Sequence, residues 1–210
     1  MILSGFLGSI VDPAIGAHVI VNASNSAVGL GSGVSGAIRK ACGGAAYQAE
    51  VRERLEEDFD AELDACDCLV TGPGTSSAFR WVLHVPAVDF RRPDPDTGGP
   101  TGAHRIRDCT LAFLDAAAAL AHDNGLGGKL VVAAPLLGAG VGGLGPVVSL
   151  DVMCEAIATW LKDNPGERES IAQIVLAVLR PDEERLVGLA ARKHGLALST
   201  ATLPPSRSPG

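Results

Sequence analysis

Residues 19–38 read VIVNASNSAVGLGSGVSGAI. The run His18-Val19-Ile20-Val21 is rich in β-branched residues and predicts a buried strand ending at Asn22. A Gly- and Ser-rich loop then runs from Ala23 to Gly33. A helix follows from Val34 to Cys42 and is broken by Gly43-Gly44. The same order recurs at residues 130–148, LVVAAPLLGAGVGGLGPVV. There a strand over Leu130–Ala134 enters a loop over Gly138–Gly145, and Pro146 stands where a first helical residue belongs.

This repeated frame carries chemistry. A helix N-terminus presents unpaired backbone N–H groups and the positive end of the helix dipole. Glycines let the backbone approach an anion closely, so such loops hold phosphates without many basic side chains. Two of them at the carboxyl edge of one sheet are suited to a diphosphate. The competing interpretation is that each glycine only permits a tight turn.

Working outward, Ile2–Leu7 reads as a short edge strand. Ala45–Asp64 has a helical pattern with a charged outer face. Cys68–Thr71 and Trp81–Val85 read as strands, and Pro93–Gly102 as a turn-rich loop. Arg105–His122 places Ile106, Cys109, Phe113 and Ala117 on one helix face. Leu150, Met153, Cys154, Ile157 and Leu161 form the stripe of the next helix. Ile171–Leu179 is a strand, and a last helix runs from Pro181 to near Gly195. Strands alternate with helices, which predicts an α/β fold, a three-layer α/β/α sandwich on a mostly parallel sheet. The expected organisation is one domain over residues 1–196 and a disordered Ser/Pro-rich tail over residues 197–210.

Composition excludes several classes. The formal net charge is -7, and no Lys/Arg run exceeds two residues, so a nucleic-acid backbone is not an expected partner. No apolar run nears the ~20 residues of a membrane span. Five cysteines without a CxxC, and no secretory leader, suit a reduced, cytoplasmic protein. Five histidines form no metal-ligating pair, so no metal and no cofactor are expected. His84 reads as a core residue of its strand, and Cys66 and Cys68 as buried thiols on one strand face. Gly31-Ser32-Gly33-Val34-Ser35-Gly36 satisfies the dinucleotide pattern G-x-G-x-x-G. Residues 23–30 separate it from the strand, however, and the segment Gln48–Glu57 looks helical rather than like a strand ending in an acid.

Asn22-Ala23-Ser24-Asn25 followed by Gly31-Ser32-Gly33-Val34-Ser35-Gly36-Ala37-Ile38 resembles the macro-domain signature, an N-A-A-N box and G-G-G-V-x-G-A-I. Gly8-Ser9-Ile10 is similar to that family's G-D-I, and Val82-Leu83-His84-Val85 to its V-I-H-x-V strand. Pro135 to Leu144 resembles its second ligand loop. The resemblance covers residues 5–195 and implies a mixed sheet with a cleft for ADP-ribose or a related nucleotide, free or linked to protein. It implies that Asn25 meets the distal ribose, with Asn22 beside it. It assigns the diphosphate to the backbone of Gly31, Ser32, Gly33, Val34 and Ser35, and of Gly138, Ala139, Gly140, Val141, Gly142, Gly143 and Leu144. Ser9 and Ile10 would border adenine, and Arg180 would stack on it.

Departures from the family pattern bear on activity. Ser9 replaces the Asp that recognises the adenine amino group, with Asp12 nearby as a substitute. Ser35 stands where one branch of hydrolases carries an acid, and serine alone is a poor base. Gly142 stands where many members have an aromatic that packs on the distal ribose. Neither Lys40 nor Lys129 matches the lysine of another branch. Three readings follow. The first is a binding module that reads ADP-ribose or ADP-ribosylated protein. The second is a hydrolase of ADP-ribose phosphate or acetyl esters or of ADP-ribosylated protein, with Asn25 as the catalytic residue. The third is a degenerate scaffold or a binder of another nucleotide.

Overall fold

The computed structural model of the protein describes residues 1–199. In chain order it contains β1 (Ile2–Leu7), β2 (Val19–Asn25), α1 (Gly33–Cys42), α2 (Ala45–Phe59), β3 (Leu69–Thr71), β4 (Trp81–Val88), α3 (Ala103–Asp123), β5 (Leu130–Pro135), α4 (Gly145–Asp163), β6 (Ile171–Val178) and α5 (Pro181–Lys193). Short 3-10 turns occupy Pro13–Ile15 and Pro165–Glu167. The strands form one six-stranded sheet in the order β1-β6-β5-β2-β4-β3. Every pairing is parallel except β3 with β4. The sheet is therefore mixed and mostly parallel, as expected.

Alternation along the strands builds two cores. Val19 and Val21 of β2, Val132 and Ala134 of β5, and Ile174 and Leu176 of β6 face the layer of α3, α4 and α5. Ile20, Ala133 and Val175, one residue out of step, face the layer of α1 and α2. Both faces of these strands are covered, which is why they read as unbroken apolar runs rather than alternating ones. Each Val, Leu or Ile so buried contributes roughly 1.5–3 kcal/mol.

Several boundaries differ from the sequence expectation. β2 does not stop at Asn22. It continues to Asn25, with Ala23 opposite Val85 and Asn25 opposite Val88 across a register shift. Pairing with β4 outweighs the low strand preference of Ser and Asn. β4 in turn runs on to Val88 through Pro86. The short β3 reaches only Val82–His84 of β4, so no β3 partner needs the proline's missing N–H. α2 ends at Phe59 rather than Asp64 because Asp60 and Ala61 adopt positive φ (50° and 70°). β3 begins after both Cys66, which is exposed, and Cys68, which is half-buried, so the expected pair of buried strand thiols does not form. Near the expected start of the tail, Ala197 and Ser199 hydrogen-bond both sides of Leu3 (2.8 and 2.9 Å). The rest of the expected tail, residues 200–210, lies outside the described residues. Among the described residues no helix is long and apolar enough to cross a membrane.

Candidate functional site

The carboxyl ends of β6, β5, β2 and β4 are adjacent in the sheet, and a cavity of about 710 Å³ lies over them. That volume suits a small-molecule ligand. Four adjacent strands set its length: three spacings of ~4.8 Å separate β6 from β4, roughly 14 Å in all. Leu179, Arg180 and Glu183 line one end, beyond β6. Asn25 and Val88, the last residues of β2 and β4, line the other together with Phe90. The two glycine loops lie between.

The first loop owes its shape to its polar anchors. Asn25 Oδ1 accepts from Gly29 N–H (2.9 Å), and Gln48 Oε1 accepts from Leu30 N–H (2.7 Å). Gly33 has φ +57°, which opens α1 in the left-handed region that favours glycine. Ser32 caps the helix without a side-chain hydrogen bond. The first bond at this end of the helix is Gly36 N–H to the Ser32 carbonyl (3.1 Å). The amides of Gly33, Val34 and Ser35 precede it, and all three residues line the cavity.

The second loop folds on itself. Ala139 N–H donates to the Leu136 carbonyl (3.2 Å), Gly143 N–H to Gly140 (3.0 Å) and Leu144 N–H to Gly138 (3.2 Å). Among the described residues, these bonds do not use the amides of Gly140, Val141 and Gly142, which also line the cavity. The turn is tight at Gly142, where a Cβ would lie 2.6 Å from the Gly138 carbonyl oxygen and 2.7 Å from Thr101 Cγ2.

A chain of buried hydrogen bonds holds the first loop from behind. Ser35 Oγ donates to Asn22 Oδ1 (2.8 Å). The Asn22 amide nitrogen can only donate, so His84 Nδ1 (2.9 Å away) accepts and Nε2 carries the proton. Nε2 then donates to Thr71 Oγ1 (2.9 Å), which meets the Tyr47 hydroxyl at 2.8 Å. Tyr47 donates on to the Gly72 carbonyl (3.2 Å). Burial alone pushes the His84 imidazole down to about 3, so it is neutral at ordinary pH. Burial also pushes the Cys42 thiol up to about 11 and those of Cys109 and Cys154 up to about 12, which keeps them from acting as nucleophiles.

The structure thus brings together Asn25, Gly31, Ser32, Gly33, Val34, Ser35, Gly138, Ala139, Gly140, Val141, Gly142 and Arg180. It does not place six other expected residues on the cavity. Asn22 is fully buried behind it, both ends of its amide engaged. Ile10 packs in the core, and Ser9 is exposed. Asp12 caps the turn at Pro13–Ile15 through Ala14 N–H (2.9 Å). Gly143 and Leu144 are not on the lining, and their amides are committed to the Gly140 and Gly138 carbonyls within the loop. The sequence reading missed Phe90, Leu179 and Glu183. For Phe90 the available signal was the strand Trp81–Val85, which needed extension by one more turn of the pleat. Glu183 accepts from the N–H groups of Leu179 and Arg180 (3.1 Å each) and pairs with the Arg180 guanidinium (2.8 Å), so the charges on the lining residues are matched to each other. Among the described residues, no group of three or more His, Cys, Asp or Glu side chains is placed to hold a metal ion.

Comparison with known proteins follows the same outline. The non-structural polyprotein p200 of Rubella virus (strain BRDII) is 31% identical over 202 residues, 96% of this chain. That of the RA27/3 vaccine strain is 33% identical over 192 residues, 88% of this chain. The chain spans about 8% of the length of these polyproteins. Among solved structures, the Oceanobacillus iheyensis macrodomain with ADP aligns with a TM-score of 0.69 at 21% identity, over 91% of this chain and 90% of that one. The Trypanosoma brucei macrodomain in complex with ADP-ribose aligns at 0.62 and 20%, over 90% of this chain and 68% of that one. The family described as Macro domain matches residues 21–153, more than half of the chain. On that match, the chain belongs to the macro domain family.

Proposed function

We propose that this domain binds ADP-ribose, free or linked to protein, and serves as a reader rather than a hydrolase. The observation that supports this most is the pairing of two glycine loops along one cavity, each lining it with residues whose backbone amides make no hydrogen bond among the described residues. Backbone amides bind a diphosphate without a cluster of basic side chains, and among the described residues the lining carries only the matched Arg180 and Glu183 as charged groups. In this reading the base lies at the β6 end against Arg180, and the distal ribose at the β2 end against Asn25. The Asn25 amide nitrogen has no partner among the described residues and can donate to a ribose hydroxyl.

The binding reading is preferred over catalysis because, among the described residues, no lining group is poised as a base. Ser35 is buried with its hydroxyl committed to Asn22, and the neutral His84 stands behind both. Glu183 is occupied as a helix cap.

Calorimetric titration with ADP-ribose, AMP and NAD tests the proposal. ADP-ribose is expected to bind at micromolar strength and AMP much more weakly. Asn25→Ala is expected to weaken ADP-ribose by about tenfold, the worth of one hydrogen bond plus the loosened Gly29 turn. No detectable binding by the intact protein would leave the degenerate scaffold as the better account. Turnover of an ADP-ribose ester that falls in Asn25→Ala further than affinity does would favour the hydrolase instead.

A further inference from the structure

Phe90 is 59% exposed, yet the loop that carries it is firmly held. Asp89 is almost fully buried (3% exposed), accepts from the N–H groups of Arg91 (3.0 Å) and Arg92 (3.3 Å), and pairs with Arg105 (3.7 Å). Asp89 N–H donates to the Pro100 carbonyl (2.7 Å). Arg91 bonds Glu62 and the Ser26 hydroxyl (3.0 Å), and Arg92 pairs with Asp64 (3.0 Å). The loop is thereby tied to the residue that follows Asn25, while its phenyl ring is left on the cavity wall. Leaving an aromatic ring in water sacrifices burial energy, and the core does not use this one.

Register gives the ring its place. Asn25 pairs with Val88, so Phe90 lies two residues beyond Asn25 on the neighbouring strand's path. It stands at the end of the cavity opposite Arg180, with the loop amides between. A ligand with its base at β6 and its diphosphate over the loops puts whatever follows the second phosphate at Phe90. A ribose has an apolar C–H face that packs on a phenyl ring; a terminal phosphate has none.

We infer that Phe90 determines specificity: it makes the cavity prefer a nucleoside diphosphate extended by a sugar over one that ends at the second phosphate. This inference rests on the ADP-ribose reading above. The test is titration of the intact protein, Phe90→Ala and Phe90→Tyr with ADP-ribose and with ADP. Phe90→Ala is expected to weaken ADP-ribose by about tenfold and to leave ADP within about twofold. Phe90→Tyr, which keeps the ring, is expected to restore the preference. The inference is overturned if Phe90→Ala weakens both ligands equally, if it changes neither, or if the intact protein binds both alike. If the intact protein binds neither, the ADP-ribose reading fails and takes the inference with it. Phe90 is exposed and outside the core, so Phe90→Ala is expected to unfold at the wild-type midpoint.

Discussion

Replacing His84 by alanine is expected to destabilise the domain by about 4 kcal/mol. The change strands the Asn22 amide N–H, at roughly 1–3 kcal/mol, takes from the Thr71 hydroxyl its bond to the imidazole while leaving that to Tyr47, and opens a void in a fully buried layer. A second consequence separates the imidazole's titration from its packing. Folded His84 titrates near 3, whereas the unfolded chain takes up that proton near 6.5. Below the unfolded value the unfolded state therefore binds more protons, and stability falls as pH falls. The slope approaches about 1.4 kcal/mol per pH unit, so the step from pH 7 to pH 5 costs about 2 kcal/mol through this residue. Burial and Arg80 also lower His18, which adds in the same direction. Comparison with His84→Gln, which keeps a donor and an acceptor but cannot titrate, isolates His84, because His18 is common to both proteins. Urea midpoints at pH 7 and pH 5 are the measurement. The wild type is expected to lose about 2 kcal/mol more than His84→Gln over that step. Equal losses would mean that the imidazole is hydrated or charged in the folded state.

The sequence signals that survived folding are those with a local physical cause. Gly43-Gly44 ends α1 because Gly43 sits at φ +117° and Gly44 at +70°. Pro146 opens α4, and the apolar run 130–134 became the doubly covered β5. What could not be read locally was decided by partners distant in sequence. Asn22 and Asn25 look alike in an N-A-S-N box. One faces His84 from 62 residues away and is buried; the other bonds Gly29 and lines the cavity. Which of the two is buried depends on the partners that β4 and the first loop bring to them, His84 for one and Gly29 for the other. Ser35 is a similar case. Its position at the helix start was legible, but the Asn22 oxygen behind it was not, and that oxygen turns its hydroxyl away from chemistry. Phe90 entered the site only because β4 runs past Pro86 to Val88. The glycine loops themselves were legible because the constraint at a strand-to-helix turn lies in the residues that make it.

Introducing an aromatic at Gly142 is expected to damage the site, although the family pattern suggests that it would complete it. Gly142→Phe is expected to weaken ADP-ribose by about a hundredfold. The backbone at 142 is not in the left-handed region, so conformation alone would admit a side chain. Space does not. A Cβ there would fall 2.6 Å from the Gly138 carbonyl oxygen, 2.8 Å from Gly138 Cα and 2.7 Å from Thr101 Cγ2. Two of these three are backbone atoms that cannot rotate aside. The Gly138 carbonyl also holds the loop closed through Leu144 N–H (3.2 Å). Gly138 has φ +73°, and a Cβ there would meet Ile106 of α3 at 2.7 Å, so the turn is hemmed in on that side too. Relief must come from opening the loop, which moves the amides of Gly140, Val141 and Gly142 out of line with those of Gly33, Val34 and Ser35. Two misplaced amide contacts to a diphosphate account for a hundredfold, about 2.7 kcal/mol. Overpacking of a surface loop adds roughly 1–3 kcal/mol of destabilisation, seen as a fall in Tm of several degrees with cooperative unfolding retained. Titration of Gly142→Phe with ADP-ribose, beside a thermal melt, separates the two effects. Tighter binding at an unchanged Tm would overturn the argument, because the loop would then have moved aside and the ring closed over the ligand.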